Sequence, residues 1–259
     1  MFTRRSFLGY GAALTGAAVL HPVVAAAESH STMSDVFKSA NGEVVIHPVS
    51  HASFVMETPN GVIYADPVGG AALYEAFPAP ELILITHHHG DHFDPETLSA
   101  INTEATRLIA NPTVFDQLPE ALKSKTISLS NGDSGEGLDM QIEAIPAYNL
   151  TEERLQYHPK GRDNGYLFNV DGLRVYIAGD TEAIPEMRAL DNVDIAFLPM
   201  NLPYTMDEKQ ASSAVEDFAP KVVYPYHYKG SDPELFAQLV AETDAGSDVR
   251  MGAWYGSST

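Results

Sequence analysis

The amino-acid sequence predicts an α/β protein in which helices cover buried β-sheets. Strand-like runs such as "ELILIT" at 81–86 and "DIAFLPM" at 194–200 are apolar almost throughout, which indicates strands buried on both faces. Signals for helix starts lie between these runs, so helices and strands alternate along the chain. A layered architecture follows, with sheet inside and helix outside.

Length and composition indicate one globular domain. The chain has 259 residues, of which 44% are hydrophobic and 19% are charged, and this is enough to bury one sizeable core. It contains no cysteine, so it has no disulfide, and any metal would have to be bound by His, Asp and Glu.

Residues 1–27 resemble a twin-arginine export signal. Arg4 and Arg5 precede a weakly apolar stretch that ends in an A-x-A pattern at 25–27. A membrane anchor is the alternative, but several glycines and a proline interrupt the roughly 20 apolar residues that a span needs. We therefore predict cleavage, a single domain over 28–259, no stable membrane span afterwards, and a periplasmic or secreted location reached by the twin-arginine route.

The chain without this signal is strongly acidic. Residues 1–27 contain two arginines and no acidic residue, so 13 basic and 35 acidic residues remain, a formal charge of −22. Such a surface repels nucleic acid phosphates and anionic lipid headgroups. We predict a small-molecule substrate and no nucleic acid partner, while no pattern indicates an oligomeric state.

Two β-hairpins with matching ends are predicted in the two halves of the chain. The first joins "SFVMET" to "GVIYAD" across a turn at 59–61, and the second joins "GYLFNV" to "LRVYIAGD" across 171–172. The hairpins end at Asp66 and at Asp180. This similarity suggests two related halves.

Helix starts are predicted where a capping residue precedes proline, at 94–95, 111–112 and 232–233. Thr205 and Glu208 form a capping-box pattern that predicts a fourth helix. Further strand-like runs are "EVVIHPV", "RLIA" and "KVVYPYHY". These elements complete the alternating order.

A 17-residue stretch from Asn149 to Gly165 has no convincing periodicity. Irregular segments of this length within a domain are usually functional or disordered. Because the segment carries His158, we predict that it is functional.

The segment "ITHHHGDHFD" at 85–94 contains four histidines and two aspartates directly after an apolar strand run. His87 and His89, two residues apart, can project the same way from an extended backbone. Asp91 and His92 follow a glycine that can bend the chain. Two imidazoles aimed at one point are half of a zinc-like ligand set, and the second His/Asp pair could begin another.

The order H-x-H-x-D-H in this segment resembles the signature of the metallo-β-lactamase fold superfamily. The similarity continues in "SHASFVMET", "VIYADP", "VYIAGDT" and "VVYPYHYKG". These flanks are most similar to the branch that contains the ascorbate-6-phosphate lactonases and the N-acyl-phosphatidylethanolamine phospholipase D type hydrolases. The resemblance implies an αββα sandwich of two mixed β-sheets flanked by helices, with a dinuclear metal site at one edge and a metallohydrolase activity.

The resemblance also implies a ligand set when it is carried over by position. A first metal would be bound by two residues, a second by three, and one carboxylate would bridge them: respectively His87 and His89; Asp91, His92 and His227; and Asp180.

The sequence departs from the family where a third histidine for the first metal is normally found. The strand before the bridging aspartate ends "AIPAYN", with Tyr148 and Asn149 at that point. Either the first metal has only two histidines, or the long loop brings in another. We predict that His158 is the missing ligand.

Two further residues are expected near the metals. His51 in "VSHASF" matches a histidine that related sequences place near the metal pocket. Asp66 is expected to orient a metal ligand through a hydrogen bond, as carboxylates beside metal-bound histidines often do. A plain hydrogen bond at a strand end is the alternative for both residues.

The predicted cofactors are two divalent metal ions per chain, with zinc preferred and manganese or iron as alternatives. The two ions would hold a shared water as hydroxide, and Asp91 is the predicted catalytic residue that orients this water or takes its proton. The predicted function is hydrolysis of a small ester-like substrate, namely a lactone, a carboxylic ester or a phosphodiester.

Two alternatives stay open. Lys160, Arg162 and Lys229 either recognise an anionic substrate group or are ordinary surface charges, so substrate-binding residues stay unassigned. The second alternative is a non-catalytic periplasmic metal-binding or metal-sensing protein whose site is degenerate.

Overall fold

The computed structural model describes residues 34–255, which form two seven-stranded β-sheets with helices on their outer faces. The predicted export signal lies outside the described residues. The first sheet contains, in order, β1 (Asp35–Lys38), β2 (Glu43–Ser50), β3 (Ser53–Thr58), β4 (Gly61–Ala65), β5 (Leu82–Ile85), β6 (Arg107–Ala110) and β7 (Thr126–Ser128). The second contains β8 (Ser134–Gly137), β9 (Met140–Ala147), β10 (Asp163–Val170), β11 (Leu173–Ile177), β12 (Ile195–Pro199), β13 (Val222–Tyr226) and β14 (Asp248–Val249).

The two sheets repeat one strand layout. In the first sheet β1 to β4 are antiparallel and β4 to β7 are parallel; in the second β8 to β11 are antiparallel and β11 to β14 are parallel. The predicted hairpins are present as β3–β4 and β10–β11. Both sheets are therefore mixed, and each half of the chain supplies one of them.

Helices cover the outer face of each sheet. They are α1 (Pro95–Ile101), α2 (Pro112–Gln117), α3 (Glu120–Lys123), α4 (Pro185–Arg188), α5 (Glu208–Phe218) and α6 (Pro233–Ala241), with short 3₁₀ helices at Ala71–Tyr74 and Glu152–Arg154. Apolar side chains from α1–α3 pack on the first sheet and those from α4–α6 pack on the second. In the described part of the chain, no helix combines the length and apolar character needed to cross a membrane.

A third apolar cluster lies between the sheets. Phe54 of β3 stacks on Phe197 of β12 with 4.2 Å between ring centroids, and both side chains are fully buried. This contact joins the inner faces of the two sheets. The order helix, sheet, sheet, helix confirms the predicted αββα sandwich.

Local capping explains where the helices start. Asp94, Asn111 and Asp232 each accept hydrogen bonds from backbone N–H groups in the first turn of α1, α2 and α6, as predicted. The prediction that Thr205 caps α5 was wrong. Asp207 caps α5 by accepting from the backbone N–H of Gln210 at 2.7 Å, whereas the Thr205 hydroxyl is engaged with the backbone of residue 201.

The long loop is shorter than predicted. Strand β10 begins at Asp163, which pairs with Ala147, so the irregular segment ends at Arg162 rather than at Gly165. Arg162 contacts both carboxylate oxygens of the buried Asp163, at 2.8 and 2.7 Å. This pairing allows an acidic residue to enter a buried strand.

Candidate metal centre

Four strands end beside one another at one edge of the sandwich. Asp66 follows β4, His87 lies two residues after β5, Asp180 follows β11 and His227 follows β13. The side chains of these residues are all buried. Carboxyl ends of parallel strands are where α/β folds place reactive groups, and the loops of this edge bring the other polar residues to the same point.

Three imidazoles and one carboxylate converge at the first subsite, which we define as His87, His89, His158 and Asp180. Nδ1 of His89 lies 3.1 Å from Nε2 of His87 and 3.3 Å from Nε2 of His158. Oδ2 of Asp180 lies 3.4 Å from Nε2 of His158 and 3.8 Å from Nε2 of His87. The four ligand atoms lie within 4.8 Å of one another, a donor set that suits a tetrahedral cation site. The loop therefore brings His158 to the place where the sequence lacked a third histidine.

The second subsite comprises His51, Asp91, His92, Asp180 and His227. Nε2 of His227 lies 3.2 Å from Oδ2 of Asp91 and 3.4 Å from Oδ2 of Asp180. Nε2 of His92 lies 3.3 Å from Oδ1 of Asp180 and 3.9 Å from Oδ2 of Asp91. Asp180 therefore belongs to both subsites.

Among residues 34–255, two buried polar atoms at the centre have no hydrogen-bond partner, namely Nε2 of His92 and Oδ1 of Asp180. Buried polar atoms in folded proteins are nearly always hydrogen-bonded, and leaving one unpaired costs about 1–3 kcal/mol. A cation between these two atoms would satisfy both. The residues present therefore fit a metal centre.

Hydrogen bonds behind the site set which imidazole nitrogens carry protons. Asp66 accepts from the backbone N–H of Thr86, from the Thr86 hydroxyl and from Nδ1 of His92, each at 2.7 Å. Because the Thr86 hydroxyl donates to Asp66, it accepts from Nδ1 of His87 at 3.0 Å. Both imidazoles therefore carry a proton on Nδ1, and Nε2 of each faces the site.

Asn149 likewise fixes the proton of His158 on Nδ1. Its side-chain N–H donates to the carbonyl of Tyr204 at 2.7 Å, so its oxygen faces His158 and accepts from Nδ1 at 2.7 Å. The backbone N–H of Asn149 also donates to the carbonyl of His158 at 2.9 Å. Asn149, at which the family pattern breaks, therefore orients the imidazole of His158 toward the first subsite.

Glu182 holds the start of the same loop, although its side chain is fully buried. It accepts from the backbone N–H groups of Leu150 and Thr151 at 2.6 and 2.7 Å. It also accepts from the Thr151 hydroxyl at 2.7 Å and from Arg154 at 3.0 Å. Four donors on one carboxylate fix the loop that leads to His158.

The pKa values of the first subsite favour a cation. Burial lowers the pKa of His87 well below its ordinary value, lowers the pKa of His89 to about 4, and lowers the pKa of His158. Burial raises the pKa of Asp180, but the neighbouring histidines outweigh burial and hold that pKa well below its ordinary value. Neutral imidazoles beside an ionised carboxylate are the protonation states that bind metals.

The second subsite has a negative potential. Burial lowers the pKa of His92, but Asp180 and Asp66 outweigh burial and raise that pKa well above its ordinary value. Burial likewise raises the pKa of Asp91, but hydrogen bonds from two histidines lower it below its ordinary value. Asp91 is therefore ionised, and the carboxylates favour positive charge at Nε2 of His92.

His51 lies closer to the reactive atoms than the sequence predicted. Its Nε2 lies 3.2 Å from Oδ2 of Asp91, and its ring centroid lies 3.9 Å from that of His227. The backbone of both histidines is left-handed, with φ of 51° and 48°, and the N–H of His227 donates to the carbonyl of His51 at 2.9 Å. Such strained non-glycine residues concentrate at functional sites.

Four supporting residues escaped the sequence-based prediction as functional residues: Thr86, Asn149, Glu182 and Tyr255, whose hydroxyl lies 2.7 Å from Nδ1 of His51. Asn149 carried a signal, since it stands where the family pattern breaks. Glu182 and Tyr255 form hydrogen bonds to residues far away in the sequence. Thr86 lies directly beside His87, but no spacing marks it as a hydrogen-bond partner.

The fold and the paired subsites define a metallohydrolase of the metallo-β-lactamase type. The family model for the beta-lactamase superfamily domain matches residues 28–227. A UPF0173 metal-dependent hydrolase from Pyrococcus furiosus is 29% identical over 208 residues, which cover 75% of this chain and 91% of that protein. The chain belongs to the beta-lactamase superfamily and is a metal-dependent hydrolase.

Solved structures agree with this assignment. A structure described as a metal-dependent hydrolase from Parabacteroides distasonis has a TM-score of 0.78 and 44% identity, covering 85% of this chain and 98% of that one. The metallohydrolase Igni18 from Ignicoccus hospitalis has a TM-score of 0.67 and 25% identity, covering 80% and 94%. These relatives favour an enzyme over the non-catalytic metal-binding protein.

Proposed function

We propose that the protein is a dinuclear metallohydrolase that cleaves a small ester-like substrate. The observation that carries this proposal is the position of Asp180 between the subsites. Its Oδ1 lies 3.3 Å from Nε2 of His92, and its Oδ2 lies 3.4 Å from Nε2 of His158. Because Oδ2 also lies 3.4 Å from Nε2 of His227, this buried carboxylate faces histidines of both subsites and is suited to bridge two cations.

Each cation would have its own histidines. His87, His89 and His158 would bind the first, and His92 and His227 would bind the second together with Asp91. Imidazole and carboxylate donors without thiolate suit Zn²⁺, with Mn²⁺ or Fe²⁺ as alternatives. Two such cations supply Lewis acidity and an activated water when bound.

Asp91 is the residue best placed for proton transfer. Its side chain is 47% exposed, whereas the other carboxylate of the site, Asp180, is 3% exposed. Hydrogen bonds from His227 and His51 lower the pKa of Asp91 against the effect of burial, so its carboxylate is ionised and can accept a hydrogen bond from a water beside it. Asp91 therefore orients the attacking water, takes its proton and delivers that proton to the leaving oxygen.

The first experiment counts metal ions in the folded protein by elemental analysis. We expect two per wild-type chain and about one in His158→Ala, while the control His88→Ala keeps two. His88 is the matched control because it lies in the same segment but belongs to neither subsite. At most one ion in the wild type, unchanged by His158→Ala, would contradict both the dinuclear centre and the role of His158.

A further inference from the structure

Half of the large exposed apolar side chains in the described part of the chain lie on segments that contact the metal centre. Ten large apolar side chains are exposed in the described part of the chain, and five of them belong to segments that contact the site. We call these five the apolar rim: Leu150, Leu155, Leu202, Tyr204 and Tyr255, which are between 42% and 47% exposed. Single exposed apolar residues are ordinary, but a group of them around a reactive centre indicates a binding surface.

Most of the rim lies on two loops that contact each other. The loop at 149–158 and the loop at 201–205 are joined by the hydrogen bond from Asn149 to the Tyr204 carbonyl, at 2.7 Å. The rings of Tyr157 and Tyr204 also meet edge to face, with centroids 4.9 Å apart. Leu150, Leu155, Leu202 and Tyr204 are therefore held on two adjacent, tied segments.

The rim touches both subsites. The carbonyl of Tyr204 lies 3.2 Å from Nδ1 of His158, so one side of the rim adjoins the first subsite. The hydroxyl of Tyr255 lies 2.7 Å from Nδ1 of His51, so the other side adjoins the second. A molecule whose reacting group lies at Asp180 would extend over one of these sides.

Most cations of the same region are already paired. Arg154 contacts Glu182 at 3.0 Å, and Lys160 contacts Glu186 at 3.2 Å. Arg162 contacts both oxygens of Asp163, so its guanidinium is not available for bidentate binding of a phosphate. Lys229 differs from these three, since it forms no ion pair with a carboxylate of residues 34–255. Of these four cations, three are therefore engaged with carboxylates, and Lys229 is the exception.

We propose that the centre hydrolyses uncharged carboxylic esters or lactones with an apolar acyl part, and that the apolar rim binds this part. The inference rests on the proposed function and narrows its substrate class. In the reaction water adds its oxygen to the acyl carbon, and the bond from this carbon to the ester oxygen breaks. One proton of the water, carried by Asp91, ends on the leaving alcohol oxygen, and the other is released to solvent. The products are a carboxylate and an alcohol, which remain in one molecule when the substrate is a lactone.

The test uses the metal-loaded, full-length protein and a series of p-nitrophenyl esters from acetyl to octanoyl, with bis-p-nitrophenyl phosphate as the phosphodiester. We expect kcat/KM to rise along the ester series, by up to about three- to fourfold per methylene where the methylene becomes fully buried. The phosphodiester should be a poorer substrate than the octanoyl ester.

The variant Leu155→Ser/Leu202→Ser tests whether the rim causes this dependence. We expect the ratio of variant to wild-type kcat/KM to fall steadily as the acyl chain lengthens, at unchanged metal content. The control is Leu235→Ser, because Leu235 is also exposed, at 38%, but lies on helix α6 and not on either of the two loops of the rim. This control should leave the dependence on chain length intact.

The outcomes separate the two proposals. If the protein with two bound ions turns over neither esters, lactones nor the phosphodiester, the proposed function fails. If it turns over esters without dependence on chain length, or prefers the phosphodiester, the proposed hydrolase function is retained. The proposal that the apolar rim binds the acyl part is then contradicted. A dependence that the double variant leaves unchanged would also overturn the rim.

Discussion

Asp66 and Asp180 each follow the fourth strand of their half of the molecule, by one and by three residues. Asp66 follows β4 and Asp180 follows β11, and each of these strands pairs antiparallel with the strand before it and parallel with the strand after it. Both residues are almost fully buried, with 0% and 2% exposure. Topology and burial therefore do not distinguish their roles.

Their hydrogen-bond partners do distinguish them. The oxygens of Asp66 are occupied by three donors, from Thr86 and His92. Oδ1 of Asp180 accepts no hydrogen bond, and Oδ2 faces only imidazole nitrogens at 3.4 to 3.8 Å. A carboxylate satisfied by protein donors supports a ligand, whereas one left unsatisfied at the centre of four histidines is suited to be a ligand.

The largest effect is expected for Asp180→Asn. This substitution keeps the shape of the side chain but removes the charge shared by both subsites, so we expect loss of both metal ions. Metal ions contribute several kcal/mol to catalysis, so activity should fall by about a thousandfold or more. Elemental analysis measures the metal content, and circular dichroism checks that the fold persists. A folded variant that retains two ions would contradict the proposal that Asp180 bridges the two ions.

A smaller effect is expected for Asp66→Asn. The variant weakens the hydrogen bond that fixes Nδ1 of His92 but leaves every proposed ligand in place, so metal affinity should fall by about 10–100-fold. Competition with a chelator measures this affinity, and both ions should return at high metal concentration. Asp94→Asn is the matched control, since Asn caps helix α1 as well as Asp does. Equal affinities in both variants would contradict the supporting role of Asp66.

Local patterns predicted the parts of the fold and site that depend on neighbours in sequence. The helix starts at Asp94, Asn111 and Asp232 were correct because a cap acts within one turn. The prediction of Thr205 as the cap of α5 was wrong because another good capping residue, Asp207, lies only two positions away. Nothing local to the sequence decides between two such candidates.

Long-range contacts explain what the sequence did not show. His87 and His89 were found through their spacing after a strand, whereas His158 required a choice among the remaining histidines. The structure brings His158 to the first subsite through Asn149 and the loop. Glu182 contacts the loop across about 30 positions of sequence, at separations of 31, 32 and 28 residues, and no periodicity reveals such a contact.

The smallest effect is expected for Glu182→Gln. This variant tests whether the loop that carries His158 supports the first subsite alone. One amide oxygen cannot replace two carboxylate oxygens that accept from Leu150, Thr151 and Arg154, and a buried donor left without an acceptor costs about 1–3 kcal/mol. The loop then holds His158 less firmly. Affinity for the first ion should fall by about tenfold, while the second subsite, held by Asp66, keeps its affinity.

Stepwise metal titration measures both affinities, and hydrogen exchange over 149–158 should become faster in the Glu182→Gln variant. The control Glu186→Gln removes an ion pair with Lys160 whose side chains are 34% and 65% exposed, and such pairs contribute little. It should change neither affinity. A fall of equal size at both subsites in Glu182→Gln would show that Glu182 stabilises the domain as a whole, because an effect passed through the loop reaches only the subsite that contains His158.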